Sequence, residues 1–119
     1  IIGVTVLTSL SRVEFQTDLN IHEPIEEYVF KLARVCYDSG LDGCVCSPWE
    51  VRKLRRFFPE AFKLVTPGIR LENTKDDQNR VMTPTDALKN GANQLVIGRS
   101  ITKSKDPQKI FSEICKSIA

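Results

Sequence analysis

Apolar residues along this chain fall into two patterns, short β-branched runs and longer stretches with helical spacing. Ile2-Gly3-Val4-Thr5-Val6-Leu7, bounded by Thr8-Ser9, reads as a buried strand. Ser9 to Asn20 is polar and mixed, with room for a short helix. Ile25, Val29, Leu32, Ala33 and Cys36 then recur at helical spacing, with Glu26, Glu27, Lys31 and Arg34 facing out. Pro24 suits the first helical position and Gly40 the stop. Gly43-Cys44-Val45-Cys46 is a second short strand.

Ser47-Pro48-Trp49-Glu50 is a strong helix start: a serine cap, proline at the first position, and glutamate placed to complete a capping box. Val51, Leu54 and Phe58 share one face of that helix. Arg52, Lys53, Arg55 and Arg56 are expected on a solvated face, and Trp49 is expected to pack over the neighbouring helix. Lys63–Thr66 is the third strand, followed by a long polar loop from Pro67 to Arg80. Loops of that length in compact domains usually bind something or act as lids. Thr83-Pro84-Thr85-Asp86 starts another helix, ending at Gly91. Leu95–Gly98 is the fourth strand, and Asp106-Pro107 caps a terminal helix with Ile110, Phe111, Ile114 and Ile118 as its apolar stripe.

Strand and helix alternate four times. That order predicts an α/β fold of parallel strands joined by helical crossovers, either a (β/α) barrel or an open doubly wound sheet. Four units are half of an eight-unit barrel, which typically needs about 250 residues. The chain opens with Ile1 almost inside a strand, so it is expected to be part of a longer protein. A half-barrel has open edges and an exposed inner face. It is expected to need its other half or a symmetric partner.

Composition narrows the function classes. The 119 residues suit one compact unit, and 41% apolar with 27% charged residues is ordinary for a globular protein. A net charge of +2, from 17 basic against 15 acidic side chains, lacks the clustered excess of a dedicated nucleic-acid binder. No apolar run approaches the ~18 residues of a membrane span. Cys36, Cys44, Cys46 and Cys115 show no disulfide rhythm, and His22 is the only histidine. Packed, reduced thiols and a reducing cytoplasm are expected rather than a metal site.

Ligands of such folds bind where strands end and loops begin. The informative positions are Thr8, Ser9, Cys46, Ser47, Pro67 to Arg70, and Gly98 to Ser100. Two of these strand ends pair glycine with arginine, Pro67-Gly68-Ile69-Arg70 and Gly98-Arg99. Glycine lets backbone N–H groups approach an anion, and arginine offers a bidentate fork for phosphate oxygens. Barrel phosphate sites are frequently built by the loops after the last two strands, so a phosphate site is expected here. The sequence contains no P-loop and no G-x-G-x-x-G. Lys63 and Lys75 are conceivable acid/base groups, but Lys63 begins its strand at the wrong edge of the sheet.

Val4-Thr5-Val6-Leu7-Thr8-Ser9, Gly40-Leu41-Asp42-Gly43, Val45-Cys46-Ser47, Leu64 to Arg70, Asp77-Gln78, Arg80-Val81-Met82-Thr83-Pro84 and Val96-Ile97-Gly98-Arg99 follow one another as in orotidine 5'-phosphate decarboxylase. The chain resembles the carboxy-terminal half of the bacterial type over essentially all its residues. The resemblance implies half of a (β/α)8 TIM barrel of the ribulose-phosphate-binding type, with residues 1–119 as one segment. It implies a cytoplasmic homodimer of de novo pyrimidine biosynthesis that turns orotidine 5'-monophosphate into uridine 5'-monophosphate and carbon dioxide. Neither cofactor nor metal, and no nucleic-acid or membrane partner, is implied. Thr8 would contact the pyrimidine with Ser9 beside it. Arg70, Gln78, Gly98 and Arg99 would hold the 5'-phosphate, and the loop opened by Pro67 would close over the ligand. The family's Asp-x-Lys-x-x-Asp array, whose lysine protonates the developing C6 carbanion, is nowhere in the chain. No catalytic residue is therefore expected in this segment. Asp76 stands where relatives commonly have glycine. Alternatives are another phosphosugar-barrel decarboxylase, or a half-barrel that binds phosphate and catalyses nothing.

Overall fold

The computed structural model describes residues 1–71 and 81–119. Four strands, β1 (Ile2–Val4), β2 (Gly43–Val45), β3 (Lys63–Thr66) and β4 (Gln94–Leu95), form one sheet in the order β1-β2-β3-β4. Every pairing is parallel, with Val4 opposite Val45, Val45 opposite Val65, and Thr66 opposite Leu95. The strands are shorter than the apolar runs suggest, but pairing continues past their ends. Thr5 N–H donates to Val45 O at 3.2 Å, and Val96 N–H to Thr66 O at 2.9 Å.

The connecting helices begin where the polar punctuation falls. The mixed segment after β1 contains α1 (Arg12–Thr17), opened by a Ser11–Glu14 capping box. The Ser11 backbone and hydroxyl hold the Glu14 carboxyl below its ordinary range. Helix α2 (Ile25–Asp38) starts one residue after Pro24, which serves as its cap rather than its first residue. Helix α3 (Pro48–Arg55) has the expected box, with Ser47 N–H donating to Glu50 Oε2 at 2.8 Å. Such caps contribute about 1 kcal/mol each. Helix α4 (Pro84–Lys89) is capped by Thr83 and α6 (Pro107–Ile118) by Asp106. A four-residue α5 (Arg99–Thr102) follows β4 after Val96-Ile97-Gly98, an element absent from the hydrophobic pattern.

The core lies between the sheet and α2 and α3. Cys44, Cys46 and Leu64 are fully buried in one cluster with Val29, Ala33, Val51 and Leu54. The Cys46 thiol is pushed well above its ordinary range by its hydrogen bond to Cys44, then by burial. The other face of the sheet is open: Ile2, Val4 and Val96 are 42%, 59% and 51% exposed. Alternation explains this, because Gly3 points at Cys36 and Leu41 on the helix side, which turns Ile2 and Val4 away.

Three expectations are corrected. Arg55 is not on a solvated face. Its guanidinium reaches Gly91 O, Pro59 O, Phe62 O and Asn93 Oδ1 at 2.6–3.2 Å, and its side chain is only 16% exposed. Trp49, expected to pack over the neighbouring helix, is instead 58% exposed, and its Nε1–H donates to Val81 O at 3.3 Å. The α6 stripe is only partly buried, with Ile114 inside but Phe111 57% exposed.

Candidate functional site

The carboxyl ends of β3 and β4 open onto one cavity of about 740 Å³. Thr66 ends β3 fully buried, and Pro67-Gly68 then turns the chain outward. Gly68 sits at φ +77°, where a side chain would be strained, so glycine is required for this turn. The turn is fixed by a short return pairing. Arg70 N–H donates to Met82 O at 3.1 Å and Met82 N–H to Gly68 O at 3.2 Å, with Ile69 bridged to Met82. Trp49 adds its bond to Val81 just before that stem. Arg70 and Val81 are therefore both held at the sheet edge.

Val96-Ile97 runs from β4 to Gly98, the residue that caps α5, with Arg99 first in the helix. A Cβ at Gly98 would meet nothing within 4 Å, so the cavity has open space there. Thr102 N–H and Ile101 N–H both donate back to Gly98 O, which holds the turn compact.

Thr8, Pro67, Arg70, Gly98 and Arg99 all line this cavity, and Ser100 joins them. Five of the seven expected site residues are thus brought together by three strand ends. Ser9 is not among them. It lies in an adjoining cavity of about 400 Å³ with Leu10, Ile25, Glu26 and Trp49, and Thr8 borders both spaces. Gln78, Lys75 and Asp76 fall outside the described residues. Cys46 and Ser47, candidates by their position at the end of β2, are fully buried and do not reach either cavity. Lys63 is at the opposite edge, where its ammonium donates to Glu60 O at 3.2 Å.

The sequence reading missed Lys103, Ile110 and Glu113, which complete the wall of the larger cavity. Lys103 could have been found from spacing, since it follows Arg99 by four residues and α5 places such pairs on one side. Ile110 and Glu113 come from α6, and only tertiary packing of α6 against α5 brings them there. The cavity can therefore present Arg70, Arg99 and Lys103 to an anion. Among the described residues no cluster of three His, Cys, Asp or Glu side chains could hold a metal ion.

Comparison with known proteins gives one consistent answer. The profile of the orotidine 5'-phosphate decarboxylase / HUMPS family matches residues 1–114. Two proteins named orotidine 5'-phosphate decarboxylase, from Prochlorococcus marinus strains MIT 9515 and MIT 9215, are 60% and 58% identical over 119 residues. The alignments cover 99% of this chain but 50% and 49% of those proteins, so the chain spans about half the length of the curated relatives it matches. The crystal structure of orotidine 5'-phosphate decarboxylase from Lactobacillus acidophilus superposes with a TM-score of 0.81 at 37% identity, covering 98% of this chain and 48% of that one. The enzyme structure from Pyrococcus horikoshii OT3, at 19% identity and a TM-score of 0.70, shares the fold. The four parallel βα units are half of a (β/α)8 barrel.

Proposed function

The chain belongs to the orotidine 5'-phosphate decarboxylase / HUMPS family, and from that membership we propose that it is the carboxy-terminal half of a barrel that decarboxylates orotidine 5'-monophosphate. In this reading residues 1–119 form one structural segment of a larger cytoplasmic, homodimeric enzyme of pyrimidine biosynthesis. The observation that carries it is the convergence of both Gly/Arg strand ends, with Thr8, on a single cavity.

Arg70 and Arg99 grip the 5'-phosphate from two sides, and the open space at Gly98 admits an oxygen close to the backbone. Gln78 adds to the same grip. Thr8 stands in the segment after β1, where the pyrimidine lies, and Ser9 borders that position from the adjoining space. Loss of CO2 leaves the bonding electron pair on C6 of the ring, and a proton must be delivered there. The chain has no Asp-x-Lys-x-x-Asp array to deliver it. That array is supplied by the rest of the protein. The role of this half is to convert phosphate binding energy into a fixed, desolvated substrate. No cofactor enters the reaction.

The test is Arg99→Ala in the full-length enzyme. A lost bidentate charge-assisted contact is worth about 1.5–3 kcal/mol, so kcat/KM should fall by roughly ten- to a hundredfold or more. Kinetics indistinguishable from wild type would sink the assignment. The 119-residue segment assayed alone should give no turnover.

A further inference from the structure

We propose that Lys103 is a third cation of the anion cavity, one that draws the substrate's phosphate to the mouth and holds it against Arg99. This rests on the phosphate reading of that cavity and adds a residue that neither strand-end motif contains. Lys103 lines the same wall as Arg70 and Arg99. It is fixed there by its backbone, whose N–H donates to Arg99 O at 3.0 Å at the end of α5. The four-residue step from Arg99 stacks the two side chains on one side of the turn. Glu113, the one acid on that wall among the described residues, stands 4.0 Å from Lys109 Nζ, which offsets its charge. The described part of the wall therefore presents a net positive charge to a dianion.

Lys103 is exposed, and that decides what it does. An exposed charge acts through screened, long-range attraction rather than through a desolvated contact. Its effect falls on capture, hence on KM and on salt dependence, and not on the chemical step. It is a positioning and steering residue for the phosphate.

The experiment compares Lys103→Gln, Lys103→Glu and Lys103→Arg in the full-length enzyme, with Lys105→Gln as a control outside the cavity. At about 0.01 M ionic strength, where the Debye length is about 30 Å, Lys103→Gln should raise KM for orotidine 5'-monophosphate about threefold and Lys103→Glu more. Lys103→Arg should restore KM, and at about 1 M salt the variants should converge. Binding of inorganic phosphate, followed by calorimetry, should weaken in the same order. That second arm separates the two readings: a wild-type enzyme without turnover would remove the decarboxylase assignment, while the phosphate titrations would still judge Lys103. Equal phosphate affinity in wild type and Lys103→Glu at low salt, or a shift that falls on kcat and persists at high salt, overturns the proposal.

Discussion

Arg55→Met removes the guanidinium that ties the lower edge of the sheet together and keeps the aliphatic stem. The guanidinium bonds Gly91 O twice, at 3.1 and 3.2 Å, Phe62 O at 3.1 Å, Pro59 O at 2.7 Å and Asn93 Oδ1 at 2.6 Å. Asn93 Oδ1 also accepts Leu64 N–H at 2.9 Å, so one side chain links α3, the start of β3 and the turn before β4. Not every bond counts equally. Pro59 O keeps Phe62 N–H, and Asn93 Oδ1 keeps Leu64 N–H, after the substitution. Gly91 O and Phe62 O lose the charged partner. Two partly buried carbonyls left short of a donor cost about 1–2 kcal/mol each, and the returned hydration of the arginine does not arise in a methionine variant. The expected loss is about 2–4 kcal/mol, or roughly 5–15 °C in Tm for a protein of the relatives' size.

Urea titration of the full-length protein measures this as a shift of midpoint at constant slope. Arg56→Met is the control, because Arg56 is exposed on the next position; it should change stability by less than about 0.5 kcal/mol. Arg55→Met matching that control would show that the clamp contributes nothing. The consequence reaches the cavity, because β3 and β4 start at this clamp and lead into the turns that carry Arg70 and Arg99. A loosened base should raise KM together with the loss of stability.

Two further outcomes follow from the titrating groups. Cys115 is exposed, whereas burial raises the Cys36 thiol and the bond to Cys44 raises Cys46 further; alkylation of the folded protein should label Cys115 first and Cys46 last, and equal rates read by mass spectrometry would contradict the packing. The Glu14 carboxyl is lowered in the folded state, so its contribution is present above the ordinary carboxylate range and fades as pH falls through the lowered value. The stability gap between wild type and Glu14→Gln should therefore shrink on acidification, and a gap independent of pH would refute the capping role.

Much of the architecture was legible because it depends on local signals. Ser47-Pro48 and Thr83-Pro84 fix helix starts through their own backbone chemistry, and Cys44-Val45-Cys46 shows its buried face through simple alternation. The strand ends were legible for the same reason, since Gly68 and Gly98 mark turns wherever they fall. What failed was non-local. Arg55 has the same sequence environment as Arg52 and Arg56, and only the approach of Gly91 and Asn93 makes it a clamp. Trp49 finds Val81 across 32 residues. Helix α5 was not visible in the hydrophobic pattern, so the four-residue step from Arg99 to Lys103 had no helix on which to be read. Ser9 was placed beside Thr8 by adjacency, and the two do share the smaller cavity, but only Thr8 also reaches the larger one past the turn that joins Leu10 N–H to Leu7 O.

The open face of the sheet and the cavity at its carboxyl edge depend differently on the rest of the barrel. Ile2, Val4 and Val96 leave apolar area in water, which costs about 25 cal/mol per Å² and is tolerable only where another layer covers it. In a closed barrel those positions point into the interior, so the surface that is a liability here becomes core once the remaining strands are added. The cavity at the carboxyl edge behaves differently. Its walls come from Thr8, the Pro67–Arg70 turn and the Gly98–Lys103 segment, all in this chain, and pinned by bonds within it. In the proposed reading, this half carries the anion-facing wall and the remaining strands carry the reacting centre. Substitutions along Ile2, Val4 and Val96 should accordingly act on assembly, and those at Arg70, Arg99 and Lys103 on substrate capture.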